Sequence, residues 1–389
     1  MNFASFPPSR SAGLAILLVW LAPRVLRSEN SISYKYEDYA EENGRIAVRT
    51  HGVHVEQDLG PQMRLKLDGL HDAITGATPT GAPAPTPGGQ VGTSILRAER
   101  RKAWNMDIAR QVRRVNVSFG FGNSRESDYV SNGWSVNTVT DFNQKNTMML
   151  LGVAGTDDKI KVLYSSLAPR ARKHTNDVIL GATQLLSPLT SLTANITWGR
   201  ASGFLQDPYK LVQKRTQIFP GVFLPLTANE NRPNYREKWI VFLGLNRSFP
   251  AAKGALDASY RFYHDTFRTD AHTVDLAWFQ RLGGKFMLRP SLRVYQQSAP
   301  FFYYYNLDNT SIVPISGAPR PGGPFYSSDF RLSAMRTYTY GLKLIWNVSD
   351  ALQYDVAWEK YDMRGRDGVT PRSAYADARI FTVGGKFSW

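Results

Sequence analysis

Residues 378–389 read ARIFTVGGKFSW, and the segment alternates to its last residue. Trp389, Phe387, Val383 and Phe381 fall on one face, with Gly385 the only gap; Ser388, Lys386, Gly384 and Thr382 fall on the other. Side chains of a strand point to opposite faces with period two, so this segment is apolar on one side and polar on the other. A half-buried edge strand of a soluble sandwich has that pattern. So does the closing strand of an outer-membrane barrel, which ends on an aromatic residue that the assembly machinery reads. The rest of the chain separates the two.

The same alternation recurs in segments about ten residues long. Leu256, Ala258, Tyr260 and Phe262 oppose Asp257, Ser259, Arg261 and Tyr263. Val274, Leu276 and Trp278 oppose Thr273 and Asp275, and Phe286, Leu288, Leu292 and Val294 oppose Arg289, Ser291, Arg293 and Tyr295. Tyr338 to Trp346 and Leu352 to Trp358 repeat it, with Lys343, Asp355 and Glu359 on the polar face. Tight connections are expected at Gly60, Gln111, Asn143, Pro188, Gly283 and Ser349, and long ones over 73–98, 158–174, 202–235, 299–335 and 363–377. Short turns at one end and long loops at the other are the outer-membrane arrangement. A sandwich hides its apolar faces in one core and has no such asymmetry. The fold expected is therefore all-β, an antiparallel transmembrane β-barrel of about 16 strands, with 14 or 18 as alternatives. An even count places both chain ends at the short-turn, periplasmic side.

Residues 1–28 read as a signal peptide, with Arg10 before the apolar run AGLAILLVWLA, and 29–389 as the barrel. The run is too short to cross a bilayer as a helix. The expected location is the bacterial outer membrane. The chain has no cysteine, which removes disulfides and thiol chemistry. Its net charge of +15 falls by three, to +12, if residues 1–28 with Arg10, Arg24 and Arg27 are removed. The basic residues are dispersed apart from RAERRK (97–102), so nucleic acid is not an expected partner.

Several motifs resemble an uncharacterised bacterial outer-membrane barrel family, the domain of unknown function 3570 family. They are YKYEDYAEENGRI (34–46), ITGATPTGAP (74–83), GFLQDPYK (203–210), ENRP (230–233), SYRFYHD (259–265), AHT (271–273), RVYQQSAPFFY (293–303) and YSSDFRLS (326–333). Thr78 and Pro300 depart from the Ser and Ala expected there. The resemblance implies the fold and the location, and a setting beside flavin-transfer and thioredoxin-like envelope proteins. It supplies no activity.

If apolar residues face lipid, Arg261, Arg289, Arg293, Lys343 and Lys386 face the lumen with Asp257, Asp275, Asp355 and Glu359. They could bias a water-filled passage toward anions or cross-link a narrow lumen as opposite-charge pairs. His264, Asp265, Asp270 and His272, with His71–Asp72 at the same rim, are of the residue types that bind a metal or activate water, though their spacing fits no established ligand motif. Asp207–Pro208 and Asn231–Arg232–Pro233 read as turn chemistry in the 202–235 loop, with Asp207 and Arg232 as loop candidates. Phe301–Tyr305 reads as part of an interfacial aromatic girdle.

No catalytic set, metal site or cofactor is expected. The expected partners are the lipid bilayer, the barrel-assembly machinery through the strand ending at Trp389, and an envelope protein, for a barrel that is itself a monomer. A passive channel for small solutes heads the functional expectations, without enzymatic turnover. A scaffold for envelope machinery, redox or flavin-linked, comes second, and a rim hydrolase or protease third.

Overall fold

The alternation at the end of the chain becomes the last strand of a closed antiparallel barrel. The computed structural model describes residues 30–79, 93–162, 170–315 and 317–389. The signal segment 1–28 and most of the low-complexity stretch 77–93 lie outside the described residues. The strands are β1 (Ser31–Glu41), β2 (Ile46–Asp58), β3 (Met63–Pro79), β4 (Thr93–Val112), β5 (Val115–Arg125), β6 (Tyr129–Phe142), β7 (Thr147–Lys161), β8 (Arg170–Ser187) and β9 (Thr190–Gly203). They continue as β10 (Leu211–Phe219), β11 (Val222–Asn229), β12 (Tyr235–Phe249), β13 (Gly254–Asp265), β14 (Asp270–Leu282), β15 (Phe286–Gln297), β16 (Met335–Asn347), β17 (Leu352–Gly365) and β18 (Asp377–Ser388).

All but β10 and β11 form the barrel, so sixteen strands close on themselves, as the alternation predicts. β18 pairs with β1 from Ser31↔Ser388 to Glu41↔Ala378, and the Trp389 N–H donates to the Asn30 carbonyl at 3.0 Å. Closure matters because a bilayer offers unpaired N–H and C=O groups no water. Every barrel connection at the end where the seam starts is four residues or fewer, as at 59–62 and 188–189; all the long ones lie at the other end. The turn expected at Gln111 sits at Arg113–Arg114, where Arg113 takes φ +54°. Phe381, Val383, Phe387 and Trp389 are exposed on the outer face, the lipid side.

The motif ITGATPTGAP has a visible job. Gly76 sits at a register shift between β3 and β4 with φ +116°, and a Cβ there would lie 1.7 Å from the Arg45 carbonyl oxygen. Both the backbone conformation and the approach require glycine. Gly76→Ala is expected to destabilise the barrel by more than about 2 kcal/mol, read as a lower temperature for losing the fast-migrating folded band on unboiled gels.

The long loops fold onto the inner wall. Phe330 and Tyr375 pack with inward-facing Tyr39, Ile74, Met335, Met363 and Ile380 in one buried cluster. β10 and β11 form a separate two-stranded hairpin inside the 204–234 connection, an element the sequence pattern does not predict. Phe301–Tyr305 does not form a girdle. Phe302 is fully buried, edge-on to Phe267 at 5.0 Å, because the β15–β16 connection turns back over the mouth instead of running along the bilayer surface.

Candidate functional site

The lumen has two unlike halves. Along β4 to β9 the inward positions are small: Gly120, Gly122, Gly133, Gly152, Gly181 and Gly199 alternate with outward-facing Phe121, Trp134, Leu151, Leu180 and Trp198. A cavity of about 210 Å³ runs against this wall, lined by Asn105, Gly120, Gly133, Ser135, Thr156 and Asp177 among others. The facing half, β13 to β18, carries Asp257, Arg261, Asp275, Arg289, Arg293, Lys343, Asp355, Glu359 and Lys386 at inward positions. Opposite-charge pairs along it include Lys343–Asp355 at 2.8 Å and Arg293–Asp275 at 3.2 Å. The Arg289 guanidinium lies over the Phe279 ring, 5.2 Å from its centroid. The ladder is thus cross-linked in part, and most of its members keep some water contact.

Above the lumen, three motifs converge on one buried charge network. Each contributes one acid and one base: Asp207 and Lys210 from 203–210, Glu230 and Arg232 from 230–233, Asp329 and Arg331 from 326–333. Arg232 bonds Glu230 at 2.7 Å and Asp329 at 2.9 Å. Arg331 bonds Asp329 at 2.6 Å and also donates to Asp207, so Asp329 is the carboxylate both guanidinia share. The Ser327 hydroxyl donates to Glu230 at 2.6 Å, and Lys210 lies 5.3 Å from the centroid of the Phe330 ring.

Buried charges persist only where paired and hydrogen-bonded. Burial alone would raise Asp329, but Arg331, Lys210 and Arg232 hold it well below the usual carboxylate range. Burial pushes Glu230 up to about 7 against the pull of Arg232, and burial with the nearby Arg331 pushes Lys210 down to about 8. Around this network the backbone is tied by paired bonds between Asn231 and Tyr326 and by Gln206, which both donates to and accepts from Arg232. The Tyr209 hydroxyl reaches Asp128 on the far rim, and Phe267 from the β13–β14 turn joins Leu205 and Phe302. The 204–234 and 298–334 connections therefore form a cap, built as a small folded body across the long-loop mouth.

The profile of one family, described as a protein of unknown function (DUF3570), matches residues 21–94, 92–171 and 164–378. The chain belongs to that family. No curated protein matches it. Among solved structures this DUF3570 member is similar to the siderophore receptor PirA from Acinetobacter baumannii at 12% identity and TM-score 0.42, over 87% of this chain and 53% of the receptor. The chain spans about half the length of that receptor. It is similar also to a loop L8 deletion mutant of OmpT from Vibrio cholerae (10% identity, 93% and 99% covered, TM-score 0.43) and to OccK3 from Pseudomonas aeruginosa (9%, 93% and 95%, TM-score 0.41). With its closed barrel and apolar outer belt, the DUF3570 chain is a bacterial outer-membrane protein lying in the lipid bilayer.

The rim histidines of this DUF3570 barrel are not brought together with the carboxylates as one site. Strand alternation sends His264, Asp270 and His272 to the outer face and Asp265 inward. His264 pairs with Asp270 at 2.7 Å and His272 with the Tyr260 hydroxyl at 2.8 Å, both exposed. Asp265 is buried and bonded to Arg236 at 2.6 Å, and Asp72 to Arg101 at 2.6 Å. The two loop candidates, Asp207 and Arg232, are joined through Asp329 and Arg331, and Asp207 also makes the expected turn, accepting the Tyr209 N–H at 3.0 Å. Sequence reasoning missed Lys210, Glu230, Asp329 and Arg331. The available signal was the acid and base carried by each motif.

Proposed function

We propose that this barrel is a passive channel for small solutes, working without enzymatic turnover, whose outer mouth is covered by the loop cap. One observation carries the reading: lumen positions Asn105, Asp257, Arg261, Asp275 and Arg289 keep solvent exposure while the charge network of the cap above them is buried. A barrel whose bore is packed solid would bury these charges. The small-residue wall leaves room beside the charged ladder, and the ladder sets the field an ion would cross. The test is single-channel recording of the full chain in planar bilayers, where stepwise conductance is expected and a silent bilayer would overturn the proposal.

The ladder makes a separate prediction. Arg261→Glu with Arg289→Glu replaces two positive charges by two negative ones in the lumen. The cation-to-anion permeability ratio should rise by roughly tenfold, the low end of what focused charge does to local ion concentration. The reversal potential under a salt gradient reads this directly, and an unchanged potential would place the ion path elsewhere.

A second reading, a scaffold for envelope machinery that is redox or flavin-linked, is supported by the β10–β11 hairpin. Its end exposes Ile218, Phe219, Val222, Phe223, Leu224 and Leu226 around the Pro220–Gly221 turn. Contiguous exposed apolar surface of this kind marks interaction sites. Tight co-purification of an envelope protein, lost on deleting residues 215–227, would favour it; a monomer unchanged by the deletion would not.

A further inference from the structure

The outer rim of the barrel is electrostatically lopsided. On β4, β5, β7 and β8 the outward positions toward the long-loop end hold Arg100, Lys102, Arg125, Lys159, Lys161, Arg170 and Arg172, all exposed. The register sets like charges side by side: Lys102 opposite Arg125, Lys159 opposite Arg172, Lys161 opposite Arg170. Directly opposed like charges destabilise a sheet, so a sector holding three such pairs is costly unless an anion joins it. Asp157, already paired with His174 at 3.2 Å, is the one acid among the described outward residues of this sector. The flanking loops 80–92 and 163–169 contain no acidic residue in their sequence, and the acids of the β5–β6 turn, Glu126 and Asp128, are buried.

The other side of the rim also sets like charges opposite each other, Arg336 with Arg364 and Lys360 with Arg379, but acids stand among them. There Arg364 pairs with Asp362 at 2.5 Å, Arg372 with Asp377 at 2.5 Å, Arg49 with Asp38 at 3.5 Å, and His264 with Asp270 at 2.7 Å. Arg379 lies 3.9 Å from Glu42, so acids offset most of the bases on that side. The β4–β8 side is left for something outside the chain.

Height along the strand says what that is. Trp104 and Phe121, 5.8 Å apart, are exposed with Trp134 at the upper edge of the apolar belt, where aromatic rings mark the membrane interface. Lys102 is the next outward residue beyond Trp104, and Arg125 is two outward steps beyond Phe121. One outward step is two residues, about 7 Å along a strand, so the basic ladder stands at headgroup depth. Long loops face the cell exterior, which makes this the outer leaflet.

We propose that the β4–β8 ladder is a binding site for the phosphate groups of the outer-leaflet glycolipid, with the lipid's acyl chains lying along the apolar face below. The site is independent of solute passage, so it stands or falls apart from the channel reading.

The test uses the full chain in detergent, with bisphosphorylated lipid A as probe and native mass spectrometry as readout. The variant Lys102→Gln/Arg125→Gln/Lys159→Gln/Arg172→Gln is compared with Arg49→Gln/Arg364→Gln/Arg372→Gln/Arg379→Gln, which removes as many charges from the paired side. The first should bind lipid A more than about tenfold more weakly than wild type, given the attraction each near-surface base contributes; the second should change by less than about twofold. Dephosphorylated lipid A should bind all three proteins equally weakly. Equal losses in both variants, or tight binding of the dephosphorylated lipid, would overturn the site. Complete displacement of lipid A by millimolar inorganic phosphate would assign the ladder to a free anion and overturn the lipid. Heat-modifiable migration confirms that each variant is folded, and Arg125→Gln/Lys159→Gln serves if the fourfold variant is not.

Discussion

Asp329→Ala should open the cap and raise conductance several-fold while leaving the barrel intact. Asp329 is the carboxylate that Arg232 and Arg331 share, at 2.9 and 2.6 Å, in surroundings where it is almost wholly buried. Removing it leaves two guanidinia facing each other with only Glu230 and Asp207 to balance them. Breaking a buried pair by deleting one partner costs about 3–5 kcal/mol, because the uncompensated charge stays behind. The cap's own apolar clusters are small, Leu205 and Phe302 with Phe267 in one and Val212, Leu307 and Tyr326 in the other, so a loss of that size is expected to exceed what its remaining contacts supply. The barrel ladder does not include Asp329, and the folded protein should still migrate fast when unboiled. Two measurements together decide the matter: protease cleavage within 204–234 or 298–334, and single-channel conductance. A cap that is cut readily while conductance stays at the wild-type level would separate the cap from the passage and sink the gating idea.

Removing β18, residues 377–389, should abolish the folded barrel altogether. The deletion strips β1 of eleven register partners, Ser31↔Ser388 to Glu41↔Ala378, and β17 of those from Leu352↔Phe387 to Asp362↔Asp377. Two edges are then left inside hydrocarbon, where each unpaired backbone group costs several kcal/mol. No heat-modifiable band should remain, and the protein should be recovered in aggregates. A shorter change, Phe387→Ser with Trp389→Ser, keeps the ladder but removes two stacked rings, 5.9 Å apart, from the lipid face. Its folded yield should fall partway. A truncated chain that still inserts and migrates fast would mean the seam lies elsewhere.

The wall was readable in the sequence because a membrane barrel writes its two solvents into every strand. Phe381, Val383 and Phe387 against Thr382, Gly384 and Lys386 is such a passage, and sixteen like it gave the count and the side on which the ends lie. The cap was not readable for the opposite reason. Its residues obey no period, because loop side chains are placed by turns and partners rather than by alternation. LVQKRTQIF and VFLPLTAN form β10 and β11, yet the first alternates poorly and Pro225 interrupts the second. Asp207 and Asp329 lie 122 positions apart and meet through Arg331. His264, Asp265, Asp270 and His272 show the converse. Nearness in sequence suggested a cluster, and period-two geometry split it across the wall.

The Arg45 guanidinium, from the β1–β2 turn, donates to the carbonyls of Ser373, Ala374 and Tyr375 in the β17–β18 connection at 3.0 to 3.1 Å, and is held from behind by Glu41 at 3.0 Å. It joins the first hairpin of the barrel to the last, straight across the seam. Phe330 of the cap rests on the same place, with Arg45 5.8 Å from its ring centroid and Tyr375 edge-on. The clasp is complete only where the first and last strands are paired, and Phe330 gives the cap part of its floor there. A protected amide beside Phe330 in a hydrogen-exchange experiment thus reports on a junction formed by the two ends of the barrel, and a chain stalled with its seam open is expected to hold its lid loosely on that side.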